Sequence, residues 1–246
     1  MKQTSGVLVG CDQQQEWLLD GWYAHFRKHN PSLLIAFGDL GMSEEGRQWC
    51  EERGVVIAAS QIPFPPDATL QEKGWPYAGE RWLEEGLFSL PERAVLFRKP
   101  LLMKQSPFER TVYLDLDCQV LMDLSSLFSL RLGPTKMALR AGCFYEMKSM
   151  TTSQKMWVQS YNSGVVVFEK NSRLLDFWIF LLDREIESFS NDDRLLSFAI
   201  HGYEMPVTRL ARKYNWLYHW GVNPKAAICH WIGEAGKAAF RFTSCT

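Results

Sequence analysis

Short apolar runs and helical spacings alternate over the first sixty residues. GVLVGCD, residues 6–12, is apolar up to a closing acid and predicts a buried strand. In QEWLLDGWYAHFRKHN, Trp17, Leu18, Trp22 and Phe26 fall near one face of a helix that Pro31 ends. LLIAFGD predicts a second strand and SEEGRQWCEERG a second helix, with Ser43 as N-cap and Gly54 beyond its end. VVIAAS predicts a third strand. Strands alternating with helices argue for an α/β domain with a mostly parallel sheet.

At 61–91 the rhythm fails. QIPFPPDATLQEKGWPYAGERW is rich in Pro, Gly and aromatics, and a long irregular segment inside a domain predicts a binding loop or lid, or else disorder. Trp75, Tyr77 and Trp82 could form a sugar platform there or pack beneath it. ERAVLFRKPLLMKQSP predicts a helix kinked or broken at Pro100. RTVYLDLD is then a strand. KMALRAGC and YNSGVVVFEK predict two more, SRLLDFWIFLLDREI a strongly amphipathic helix, and NDDRLLSFAIHG a shorter one whose acids sit where the dipole favours them. MPVTRL and AAICHW predict short strands before GEAGK. The expectation is one domain over 1–246 with an insertion at about 61–91.

The strand TVYLDLD carries an oddity. If extended, it turns Thr111, Tyr113, Asp115 and Asp117 to one face and Val112, Leu114 and Leu116 to the other. The two aspartates then have Cα atoms roughly 6.5–7 Å apart. Ionised carboxylates that close repel, and a divalent cation such as magnesium or manganese is the simplest compensation. The plain alternative is a turn cap paired with basic residues. Ligands of open α/β sheets gather at the carboxyl ends of strands, where these aspartates lie.

Composition narrows the field. With 246 residues, 46% hydrophobic and 22% charged, the chain can bury a sizeable core. A net charge of −1 gives no sign of a general affinity for nucleic acid or an acidic membrane surface. The N-terminal apolar run is too short for a signal peptide and LLDFWIFLL too short to span a bilayer, so a soluble cytoplasmic protein is expected. Six scattered cysteines without C-x-x-C read as reduced, mostly buried residues. Most of the ten Trp are expected in the core.

FRKPLLMKQSPFERTVYLDLDCQVLMDLSSLF resembles the centre of nucleotide-sugar-dependent glycosyltransferases, especially glycosyltransferase family 8. YNSGVVVFEK resembles that family's Asn-Ser-Gly strand, NDDRLLSFAI its acidic helix opening, and YNWLYHW…AAICHWIGEAGK its closing segment, all in order from Gly6 to Lys237. The resemblance implies a Rossmann-like glycosyltransferase A fold, a mixed but mostly parallel sheet flanked by helices, and a UDP-sugar donor. It implies a manganese or magnesium ion held by Asp115, Asp117 and His230, and a saccharide, lipid-linked or protein acceptor. It places Asp192, Asp193 and Asn162 at the reacting sugar. Asp12, Cys11, Lys99, Leu116, Ser163, Gly233 and Lys237 fall around the nucleotide and diphosphate. Transfer with retention is the expected outcome. Two departures stand out: three residues, not two, separate Gly233 from Lys237, so GEAG could bulge, and Asp193 stands where an amide is usual.

Each candidate also has an ordinary reading. Asp12 could accept from a base or cap the helix near Gln14; Arg98 and Lys99 could meet a diphosphate or an acid, or stay solvated. Asn162, Ser163 and Gly164 would otherwise be a turn at a strand start, and His230 a core histidine. Two other functions remain open: a haloacid dehalogenase-like phosphohydrolase, in which Asp115 attacks phosphorus, and a non-catalytic nucleotide-sugar or carbohydrate-binding protein.

Overall fold

A computed structural model describes residues 5–60, 90–148, 155–186, 189 and 191–243. The expected insertion at 61–91, with Trp75, Tyr77 and Trp82, lies outside them up to residue 89. Strands β1 (Ser5–Cys11), β2 (Leu34–Asp39), β3 (Val55–Ala58) and β4 (Arg110–Leu114) run parallel in the order β3-β2-β1-β4. The sheet continues through β7 (Lys155–Glu169) and β6 (Met137–Lys148), both in antiparallel pairings, to the short β8 (Thr208–Arg209), seven strands in all. A second sheet holds β5 (Cys118–Val120), β10 (Ile228–His230) and β9 (Trp216–Leu217).

Alternation sorts the apolar side chains onto the two faces of the large sheet. Leu8, Ala36, Tyr113, Val166 and Phe168 face a core closed by helices α3 (Leu90–Lys104), α5 (Arg173–Glu185) and α6 (Asp192–Gly202). Val7, Val9, Phe37, Val112, Leu114, Val165 and Val167 face the other, closed by α1 (Leu19–His29), α2 (Glu44–Glu51), the single turn α4 (Ser125–Phe128) and α7 (Gly233–Thr243). Each fully buried Leu, Val or Phe contributes about 1.5–3 kcal/mol. Ser43 caps α2 by accepting from Gly46 N, as the sequence predicts. No helix among the described residues is long and apolar enough to cross a membrane.

Of the kink or break expected at Pro100, the break does not occur. α3 runs unbroken through Pro100. Phe97, Leu102 and Met103 are all fully buried around it, and that packing offsets the hydrogen bond a proline cannot make. The approach to the sheet is close: a Cβ at Gly38 would stand 2.2 Å from Leu102 Cδ2. α3 thereby sets Lys99 against the end of β4.

Candidate functional site

β4 ends at Leu114, not at Asp117. Asp115, Leu116 and Asp117 make a turn, closed by Cys118 N–H donating to the Asp115 carbonyl at 3.0 Å. The expected extended run with both carboxylates on one strand face is therefore corrected. The reason is a change of sheets: Asp115 N–H donates to Gly164 O at 2.8 Å, beside β7, whereas β5 pairs with β10. Leu116, buried in the turn, anchors the crossing.

The Asn162-Ser163-Gly164 stretch does not start a strand either. It lies within β7, where pairing with β6 jumps from Leu139↔Val166 to Arg140↔Asn162 and leaves the intervening residues of β7 out of that ladder. Close approach explains the glycine: a Cβ on Gly164 would stand 2.2 Å from His230 Cε1 and 3.0 Å from Asp115 Oδ2.

Lys99 enters this space from α3 and is buried. Its ammonium meets Asp115 Oδ1 at 3.0 Å, Asp192 Oδ2 at 3.0 Å and Ser163 Oγ at 2.9 Å. Hydrogen bonds to Asp115 and Ser163 and an ion pair with Asp192 occupy the ammonium, so Lys99 as placed holds protein groups. Burial alone would lower its pKa; Asp115 and Asp192 outweigh that and raise it well above the usual lysine value, so it stays charged. Asp115 Oδ1 also accepts from the Tyr113 hydroxyl at 3.0 Å. Arg98, the neighbouring candidate, instead donates to the carbonyls of Leu40 and Ala59.

Asp117 and His230 face each other across the seam between the sheets. His230 Nε2 lies 3.1 Å from Asp117 Oδ1 and 4.0 Å from Asp115 Oδ2. The Asp117 contact is not aligned as a hydrogen bond, and Oδ1 is a buried oxygen without a hydrogen-bond partner. Burial would raise Asp117 and lower His230, but their attraction reverses both, drawing the carboxyl down and the imidazole up. Asp117, Cys118 and His230 bring ligand atoms within 4.8 Å of one another. Burial pushes the Cys118 thiol far up and it donates to Gly164 O at 3.4 Å, so it is a neutral thiol and a poor ligand for a hard ion. Two carboxylates and an imidazole suit manganese or magnesium better.

Behind these lies a chain of side-chain bonds. Ser163 Oγ donates to Asp192 Oδ2 at 2.6 Å, and Ser163 N to Asp193 Oδ1 at 2.6 Å. Asn162 Nδ2 donates to Asp193 Oδ2 at 3.0 Å. Burial, then the charge of Asp192, raises the Asp193 pKa. Asn191 caps α6 by accepting from Arg194 N, which leaves the acids of its first turn facing β7.

At the rim, Asp12 Oδ1 caps the turn after β1 by accepting from Gln15 N at 3.0 Å, which is the capping reading. Cys11 is a buried thiol donating to the Asp12 carbonyl. Gly233 opens α7 at φ +76, and GEAGK is helical, not bulged. One helical turn absorbs the extra residue, and Lys237 stays close enough to help draw the Asp117 carboxyl down and to oppose the burial that raises Asp12.

Two residues of the site were not among the expected ones. Tyr113 was legible, two positions before Asp115 on the same face. Asn215 was not: it is fully buried and bonds both His230 and Asn162, but only the pairing of β9 with β10 brings it there.

No protein-family model matches the chain, and no curated protein does. Solved structures do. The apo glycosyltransferase GlyE of Streptococcus pneumoniae TIGR4 superposes with a TM-score of 0.63 at 16% identity, over 100% of this chain and 61% of GlyE. The galactosyltransferase LgtC, solved with donor and acceptor sugar analogues, gives 0.58 at 13%, over 98% of this chain and 95% of LgtC. The bifunctional glycosyltransferase WbbM gives 0.54 at 12%, over 95% and 46%. The chain thus spans about three fifths of GlyE and nearly all of LgtC. The fold is the glycosyltransferase A fold.

Proposed function

We propose that the protein is a metal-dependent glycosyltransferase, a single nucleotide-diphospho-sugar transferase domain over 1–246, moving a sugar from a UDP-sugar to a saccharide, lipid-linked or protein acceptor. The observation that carries the reading is Asp117 Oδ1, buried and without a hydrogen-bond partner beside His230 Nε2. An orphaned buried carboxylate oxygen costs several kcal/mol unless something positive meets it. Asp115, Asp117 and His230 are the residues that would hold manganese or magnesium, whose chemistry there is Lewis-acid charge for a diphosphate leaving group.

The chain's own groups take the remaining roles. Lys237, whose ammonium lies 3.5 Å from Glu234 Oε1, supplies positive charge at the rim for the phosphates. Lys99 keeps Asp115 and Asp192 in place. Asn162, Asp192 and Asp193 line the place for the sugar, where fixed carboxylates favour an oxocarbenium-like transition state. Retention by front-face displacement is the stereochemistry that the family resemblance implies. The phosphohydrolase reading loses ground, because the fold is the one shared with GlyE and LgtC.

The test is calorimetric titration of UDP into wild type and Asp117→Ala with manganese, with magnesium and with chelator. Manganese-dependent binding lost in the variant supports the reading. Equal binding in chelator overturns the metal, and no binding at all overturns the nucleotide.

A further inference from the structure

We infer that Asn215 is a positioning residue that sets the tautomer of His230, and that a single backbone N–H dictates the setting. The inference rests on the metal reading above for its purpose, though not for its geometry. Asn215 is fully buried and lies 15 residues before the histidine it serves.

The direction of each bond follows from the one before it. Gly164 N–H cannot reverse its polarity, and it donates to Asn162 Oδ1 at 3.2 Å. The Asn162 amide is thereby oriented, and its Nδ2 points at the Asp193 carboxylate, an acceptor that confirms the assignment. Asn215 lies 2.7 Å from the same Asn162 Oδ1, so it must present Nδ2 there. Its Oδ1 then faces His230 Nδ1 at 3.0 Å. An amide oxygen can only accept, so Nδ1 carries the hydrogen. In neutral imidazole the lone pair is left on Nε2, the nitrogen 3.1 Å from Asp117 Oδ1 and 4.0 Å from Asp115 Oδ2.

A lone pair aimed at carboxylate oxygens is repelled unless a second proton on Nε2 or a metal cation stands among them. The network therefore holds the ring in the form that ligates through Nε2, the usual task of a hydrogen-bonding partner behind a ligand histidine. The same amide also locks Asn162, so one residue orients both the metal side and the sugar side of the site.

The experiment is long-range 1H–15N NMR of protein labelled at histidine, without metal and with diamagnetic magnesium, alongside manganese titrations of wild type, Asn215→Leu and Asn215→Asp. Wild-type His230 is expected to read as N–H at Nδ1 in both samples. Asn215→Leu, which cannot accept, should lose that signature and bind manganese about 10–100-fold more weakly. Asn215→Asp, which still accepts from Nδ1, should keep the signature and lie closer to wild type. A bare Nδ1 in wild type overturns the inference, even if Asn215→Leu does not fold. So do an unchanged Asn215→Leu, or an Asn215→Asp that loses the Nδ1–H signature. Wild type that binds no manganese overturns the metal reading instead, and the apo spectrum still decides the position of the proton.

Discussion

At the scale of single residues, Asp193 shows why an amide is not an equivalent choice in this chain. Its carboxylate accepts from both Ser163 N and Asn162 Nδ2. An asparagine could accept the first through Oδ1 but would turn its own NH2 toward that of Asn162. Asp193→Asn should therefore cost about 1–3 kcal/mol in urea unfolding, despite relieving a buried charge. Asn162→Asp added to it restores a consistent set of directions: residue 162 becomes acceptor-only toward Gly164 N, Asn215 Nδ2 and the new amide. The double variant should recover at least half of the loss, a coupling of about 1–2 kcal/mol in a double-mutant cycle, and strict additivity would sink the account. Gly164 is the other sharply constrained position. Gly164→Ala must displace the His230 ring, since its Cβ would lie 2.2 Å from Cε1. It should lower stability by about 1–3 kcal/mol and weaken manganese binding together; the same titrations read both.

Elements formed where pattern and local chemistry agree, and were misread where the chain answers to a distant partner. β1, β2, α2 and α5 were plain from alternation, helical spacing and caps. The turn after β4 was not, because TVYLDLD alternates as a strand through Asp117 and only the β5–β10 pairing pulls it away. GEAGK carries two glycines, and its helix follows from Phe240 packing into the core. At the site, Asp115 and Asp117 stood out as paired carboxylates after an apolar strand and His230 stood out only through the family resemblance, whereas Asn215 is an ordinary asparagine until β9 meets β10. The connection from β2 to α2 offers a local test of electrostatics. Asp39 Oδ1 accepts from Gly41 N and Met42 N, both at 2.8 Å, and its other oxygen pairs with Arg47. Burial would raise its pKa, but these bonds and Arg47 together lower it below the ordinary 3.8. A depressed carboxyl stabilises the fold above its unfolded value and loses that contribution as pH falls through the folded value. Asp39→Asn keeps the acceptor but not the charge. It should be less stable than wild type by about 0.5–1 kcal/mol at pH 7, with the gap closing below 3.8. A gap unchanged in acid would assign the effect to packing.

Across the whole molecule, the site lies on the seam between its two sheets. The large sheet brings Asp115 from the end of β4 and Asn162 to Gly164 from β7. The small one brings His230 from β10, with Asn215 entering beside β9 and Asp117 beside β5. Among the described residues, Asp115 N to Gly164 O and Trp231 N to Asp117 O mark the two sides of the seam. A cation held by Asp115, Asp117 and His230 would therefore tie together parts that the backbone ladders do not. Binding to the folded state alone adds about 2.7 kcal/mol at a hundredfold excess over Kd. For a chain of this length each kcal/mol moves the melting temperature by about 2–4 °C. Manganese at that excess should thus raise the wild-type melting temperature by roughly 5–10 °C, with chelator reversing it. Asp117→Ala should melt at one temperature with or without the ion. Lys99→Met separates this from simple charge relief. It removes the buried ammonium between Asp115 and Asp192 and should destabilise the metal-free protein by about 3–5 kcal/mol. Manganese should recover part of that loss, because it would answer one of the two carboxylates that Lys99 now serves. Recovery in full would mean that Lys99 and the metal are interchangeable. No recovery would mean that Asp115 is not a ligand.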